Sequence, residues 1–375
     1  MGKRSIDEIA RLCADCGTCQ SACPVYRADL TEPNSPRGKV NLIKAVSDGR
    51  LKWRRATRRF VYECLLCGSC QTACPSKVEF VDAMLAFRNR ISRGRNIPLF
   101  KKLVLFLYQP FIFKKIAPLL RWLAQPPLKK RIRLPRPEKA DVKKWITTDR
   151  RPDYDVLLFP GCVLSHFYPA MVGKIIAFLE KQNLSLAWPP GLSCCGFPYL
   201  SQGWEKKFAG LLDRNKKVLS AYRFRSLVVP CATGAMTLRT FYGFPNVQVF
   251  ELSEFVARFL PQAAVDPAFL ANPSRTFTFH HPCHSIHSLK AKEAPETFLR
   301  QFGSRYVADS EELCCGFGGF FSLGFPATAR KILERKRARL REIGAEAAVT
   351  SCPGCYLQLK ENLPLEVKFF IELFA

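Results

Sequence analysis

Residues 13–24 read CADCGTCQSACP, and residues 64–75 read CLLCGSCQTACP. Each run is Cys-x2-Cys-x2-Cys-x3-Cys-Pro, with Cys13, Cys16, Cys19 and Cys23 in the first and Cys64, Cys67, Cys70 and Cys74 in the second. Two-residue spacers let three thiolates grip one iron–sulfur cubane while the chain wraps it. The fourth cysteine, turned away by the proline, reaches the other cluster. The spacing therefore predicts two [4Fe–4S] clusters with exchanged ligands: Cys13, Cys16, Cys19 and Cys74 on one, and Cys64, Cys67, Cys70 and Cys23 on the other. Zinc also accepts four thiolates, but two complete runs with both prolines favour the cubanes. Clusters that exchange ligands must lie close together, which suits an electron relay.

Working outward, the two runs start 51 residues apart. Between them Ser35 is an N-cap, Pro36 takes the first helical position, and Val40, Ile43 and Val46 recur at helical spacing. Residues 1–90 are therefore expected to form an α-helical ferredoxin domain with two [4Fe–4S] clusters. The 17 cysteines are unevenly placed: eight precede residue 75, none lies between 75 and 161, and nine follow. Residues 1–10 contain no apolar leader. The expectation is a reducing, cytoplasmic setting in which clustered cysteines mean metal or redox chemistry.

The net charge of +27 calls for acidic partners. The excess concentrates between Arg88 and Arg150, with eighteen Lys/Arg against three Asp/Glu. Residues 91–150 read as a basic amphipathic connector. In it Leu103, Val104, Phe106 and Leu107, then Ile116, Leu119, Leu120 and Trp122, alternate with lysines and arginines. That pattern suits a helix lying on anionic lipid, hence a peripheral position on the cytoplasmic face of a membrane. The uncharged stretch from Leu103 to Phe113 is too short to span a bilayer. No nucleic-acid recognition motif accompanies the charge, so nucleic acid is not an expected partner.

The remainder is an internal duplication, expected at 151–262 and 263–375. Cys162, Cys194, Cys195 and Cys231 recur as Cys283, Cys314, Cys315 and Cys352, at offsets of 120 or 121 residues. Strands expected at Asp155–Phe159, Ser226–Pro230, Thr276–His280 and Ala347–Ser351 alternate with helical stretches. This predicts an α/β arrangement of parallel strands with the cysteines in strand-to-helix loops. Adjacent cysteines pair poorly as a disulfide but can share one metal centre with other loops. The second repeat adds Cys355, where the first has Gly234.

These motifs resemble the iron–sulfur subunits of glycolate oxidase, anaerobic glycerol-3-phosphate dehydrogenase and related lactate dehydrogenases. They are also similar to the cysteine-rich (CCG) subunits of heterodisulfide reductase. The resemblance rests on both ferredoxin runs, Ser35-Pro36-Arg37-Gly38-Lys39, the two Cys-Cys-Gly triplets, His280-x-Pro282-Cys283-His284 and Ser351-Cys352-Pro353-Gly354-Cys355. It implies a third centre on Cys283, Cys314, Cys315, Cys352 and Cys355, as a non-cubane [4Fe–4S] cluster; a zinc ion and a merely structural pocket are the alternatives the residues leave open. An ordinary four-thiolate fourth centre on Cys162, Cys194, Cys195 and Cys231 is its counterpart in the first repeat.

It further implies an electron-transfer subunit, not a self-sufficient enzyme, fed by an FAD-containing dehydrogenase and delivering to quinone. The alternative is disulfide reduction at the second repeat. Gly316-Phe317-Gly318-Gly319 is no dinucleotide fingerprint, so no flavin is expected on this chain. His284 is expected beside the third centre, as a donor to a cluster sulfur or a proton relay. His281 and His287 read as polar loop residues.

Overall fold

The computed structural model describes residues 6–92, 142–147, 153–192, 194–266 and 275–374, together with residues 138 and 269. The amphipathic stretch from 103 to 122 lies outside them.

From residue 6 to 92 every regular element is helical. The Ser35 hydroxyl accepts from the Gly38 N–H at 2.9 Å and caps helix Pro36–Ser47, with Pro36 in the first turn. The helix buries Val40 and Ile43. Helix Phe80–Ser92 buries Ala83, Met84, Phe87 and Arg88.

The duplication is visible as two parallel sheets. β1 (Tyr154–Leu158), β2 (Leu186–Ala187), β3 (Phe224–Val229) and β4 (Gln248–Glu251) form one, in the order β2-β1-β3-β4. β5 (Phe277–Phe279), β6 (Ala347–Thr350) and β7 (Glu366–Phe369) form the other, in the order β5-β6-β7. In the second sheet the place of β2 is reduced to one parallel bridge, Phe277 to Tyr306. The expected strands are thus present, shifted by one or two residues at their ends. Parallel strands covered by helices on both faces are apolar throughout, and β6 is buried at every residue.

The repeats do not fold apart. One apolar core runs from Val156, Leu158 and Val228 of the first sheet to Phe277, Ala347 and Val349 of the second. The opposite side of the first sheet, with Leu157, Phe159 and Leu227, packs on Met84 and Phe87 of the helical domain. Val25 and Leu65 of that domain pack on Phe321 and Ile332 of the second repeat. The helical domain therefore sits against both repeats, which sets the cysteine loops facing one another. Among the described residues no single helix is long and apolar enough to cross a membrane.

Candidate iron–sulfur sites

The two ferredoxin runs share one backbone. Asp15 and Leu66 have φ of 53° and 55°, and Gly17 and Gly68 have φ of 83° and 84°. A left-handed residue on either side of the second cysteine curls the chain around a central space. Glycine supplies the second at no steric cost. At Gly68 it also makes room, because a Cβ there would stand 3.1 Å from Cβ of His287.

In the second run Cys64, Cys67 and Cys70 line one cavity together with Cys23 from the first. Cys19 lies near Cys13 and Cys16, and its own thiol is a neighbour of Cys70. The two cages are therefore adjacent. They differ in exposure: Cys16 is exposed, whereas Cys67 and Cys70 are buried. Burial pushes both buried thiols well above their ordinary pKa, so a thiolate there requires a cation to hold it.

In the repeats each lone cysteine follows a strand end: Cys162 after β1, Cys231 after β3, Cys283 after β5 and Cys352 after β6. The paired cysteines enter on loops locked by glycine. Gly316 has φ of 80°, and a Cβ there would meet the Ala329 carbonyl oxygen at 2.7 Å. The N–H groups of Gly196, Gly234 and Gly316 point at the sulfurs of Cys194, Cys231 and Cys314, at 3.3–3.4 Å. The Cys194–Cys195 loop is also held from behind. Asn215 donates to the Cys194 carbonyl at 3.0 Å, and the Tyr242 hydroxyl donates to that of Cys195 at 3.1 Å.

Cys162, Cys194 and Cys195 cluster in the first repeat. Cys283, Cys314, Cys315, Cys355 and Cys352 form a chain of neighbours in the second, with the Cys315 and Cys355 sulfurs 3.4 Å apart. Cys314, and then Cys355, draw Cys315 down to about 5. A buried thiolate of that kind is a ready metal ligand.

Two of the expected sites have a more detailed geometry. Cys231 neighbours Cys195 of its own repeat, and its thiol also reaches across the core to Cys352 of the second. The two four-cysteine sets are thus not self-contained, because the repeats share one core and face each other there. The first repeat also has no ready room for a fifth thiol, since a Cβ on Gly234 would stand 2.9 Å from Val229 Cγ1.

The second is His284, which lies beside Cys283 as expected. Its ring does not donate to a sulfur. Nε2 lies 3.1 Å from the Leu66 carbonyl oxygen and Nδ1 lies 2.9 Å from the Thr233 hydroxyl. A carbonyl can only accept, so Nε2 carries the proton and Nδ1 accepts from Thr233. The backbone N–H of His284 is what faces Cys283. Burial lowers the ring's pKa, which keeps it neutral. His284 thus ties the helical domain to both repeats. His287 adds a second tie, Nδ1 to the Thr72 hydroxyl at 3.1 Å. His284→Ala leaves the buried Leu66 carbonyl and the half-buried Thr233 hydroxyl unpaired and is expected to cost about 1–3 kcal/mol. Denaturant unfolding of the anaerobic protein measures this; a loss below about 0.5 kcal/mol, the size of an ordinary surface substitution, would contradict it.

His280 carries no assigned role in the sequence beyond its place in a motif. It is fully buried, and its Nε2 has no hydrogen-bond partner among the described residues. Its ring nitrogen and the sulfurs of Cys315 and Cys355 all lie within 4.8 Å of one another. Burial first, then Lys336, lowers its pKa to about 3. A neutral, buried, unpartnered imidazole beside two thiols fits a metal centre.

Helical domain and repeats meet at the cysteines. Cys67 is a close neighbour of Cys283 and Cys314, and all three line one cleft with Arg27, His287 and Arg335.

Known proteins share this order of domains. The profile of a 4Fe-4S dicluster domain matches residues 9–78, and that of a cysteine-rich domain matches twice, at 156–239 and 277–360. The chain is 25% identical over 386 residues to the glycolate oxidase iron-sulfur subunit of Escherichia coli, covering 98% of this chain and 94% of that protein. It is 26% identical over 365 residues to a subunit of the fumarate reductase (CoM/CoB) of Methanothermobacter marburgensis, covering 95% and 68%. It is 25% identical over 239 residues to lactate utilization protein A of Shouchella clausii, covering 58% and 98%. The chain belongs with the iron–sulfur subunits that join a 4Fe-4S dicluster domain to two cysteine-rich domains.

Proposed function

We propose that this chain is the electron-transfer subunit of a complex whose FAD-containing partner oxidises glycolate, lactate or glycerol 3-phosphate, and that it delivers electrons towards quinone. The observation that carries this reading is the meeting of Cys67 with Cys283 and Cys314, which places thiols of the ferredoxin domain beside thiols of the second repeat. Cys13, Cys16, Cys19 and Cys74 would hold one cluster, and Cys23, Cys64, Cys67 and Cys70 a second. Cys283, Cys314, Cys315, Cys352 and Cys355 would hold a third centre, with His280 beside it. Bound clusters would supply one-electron carriers. The protein's own part is to fix their spacing through His284 and to keep water from the buried thiols.

The test is to mix the anaerobically purified chain with an FAD-containing dehydrogenase and its hydroxyacid. Bleaching of the cluster absorbance on adding substrate supports the reading. Protein that carries zinc and no sulfide would refute it.

The second reading, disulfide reduction at the second repeat, is favoured by the fivefold thiol set and the free imidazole of His280. Cys355→Ser is expected to abolish the EPR signal of that centre while leaving the ferredoxin signals in place. An unchanged spectrum would remove Cys355 from the ligands. Disulfide turnover by the isolated chain, lost in the same variant, would favour reduction at this site.

A further inference from the structure

The two ferredoxin cages are alike in backbone and unlike in charge. At the first, Cys16 is exposed, and the Asp15 carboxylate stands 3.8 Å from the Cys13 sulfur. Arg37 and Lys44 also act on its thiols, but Arg37 is engaged by Glu32 at 2.7 Å and Lys44 is only half-buried.

The second cage has two interior cations. Lys39 lines the cavity of Cys23, Cys64, Cys67 and Cys70, and is 2% exposed. Its ammonium donates to the Asn34 carbonyl at 2.5 Å and to Asn34 Oδ1 at 3.4 Å. Arg88 is also 2% exposed. It donates to carbonyl oxygens, among them Cys64 at 3.0 Å and Ser201 at 2.8 Å. Neither cation forms an ion pair among the described residues, and the buried Glu63 at the same cavity is met by Arg59 at 3.1 Å.

A buried cation without a counter-ion is costly. The cost is offset where the cation faces an anionic group, which four thiolates and their cluster are. Burial alone would disfavour the more negative reduced state, by excluding water. In the same low dielectric, two cations without a direct ion-pair partner act in the opposite direction.

We propose that Lys39 and Arg88 hold the centre of Cys23, Cys64, Cys67 and Cys70 at a higher potential than the centre of Cys13, Cys16 and Cys19. One electron then leaves the exposed site and enters the buried one, with no bond or proton moved. The buried site presents Cys67 to the second repeat, so the charges fix the inward direction. This rests on reading both runs as cluster ligands.

The experiment is an EPR-monitored redox titration of the full, anaerobically purified chain, with iron and sulfide measured on each sample. The signal lost in Cys23→Ser identifies the buried centre. Lys39→Met is expected to lower that centre's midpoint by a factor of about ten in its reduction equilibrium, or about 59 mV. The other midpoint should stay in place, and Lys39→Arg should restore most of the shift. Asp15→Asn, at the surface, is expected to raise the exposed centre alone. Two signals with midpoints unmoved by Lys39→Met, or moved equally, overturn the inference. If Lys39→Met does not assemble, an unmoved exposed centre in Asp15→Asn does so. Wild-type protein without two such signals overturns the ligand reading instead.

Discussion

Cys23→Ser is expected to empty the cage of Cys64, Cys67 and Cys70, a run that begins 41 residues further along the chain, and to spare the cage of its own run. Cys23 lines the same cavity as those three thiols. Cys13 and Cys19, its neighbours in sequence, belong to the adjacent cage. Purified anaerobically, the variant should lose about 4 iron and 4 sulfide per chain, the content of one cubane. Transfer to the second repeat should fall with it, because Cys67 of the emptied cage is the residue that faces Cys283 and Cys314. Serine is close to cysteine in volume, so the fold around the site should survive. Loss of the other ferredoxin signal, with this one retained, would show that each run holds its own cluster.

What could be read from the sequence was what local spacing encodes. A cubane's demands fall on residues two or three apart, so Cys13 to Cys19 and Cys64 to Cys70 announce themselves. The Ser35–Pro36 cap is likewise a matter of adjacent residues, and the helix begins there. The repeat was legible because 120-residue offsets survive in the cysteines, and the cysteines lie at strand ends as parallel sheets require.

What escaped was set by packing between distant segments. The sequence places Cys231 with Cys162 and Cys194. That it meets Cys352 depends on how the repeats share a core. His284 looked like a cluster neighbour because of Cys283, yet its ring partners come from residues 51 and 218 positions away. Lys39 lies in the Ser35–Lys39 motif and Arg88 opens the basic stretch, and no local pattern reports that both are buried.

Glu251→Gln is expected to flatten the protein's loss of stability as pH rises. Glu251 ends β4, opposite Val229 of β3, and its side chain is fully buried. Oε2 accepts from the Ser253 N–H at 3.0 Å and from the Ser253 hydroxyl, while Oε1 has no partner among the described residues. Burial outweighs these bonds and pushes the carboxyl up to about 8. In the unfolded chain the same group releases its proton near 4.3. Between the two values the unfolded state binds fewer protons, so stability is full below about pH 4 and is lost as pH rises towards 8. The slope is about 1.4 kcal/mol per pH unit, for a total of about 5 kcal/mol as an order of magnitude. Glutamine keeps the shape and does not titrate. The difference in melting temperature between variant and wild type should therefore widen steadily from pH 5 to pH 8; a constant difference would contradict the buried protonated acid. The fold does not itself require this acid. The second repeat places Phe369 at the corresponding end of β7, in the N-cap position but with no side-chain cap. The buried carboxyl lies in the repeat that has Gly234 instead of a fifth cysteine, and its strand partner Val229 ends β3 two residues before Cys231.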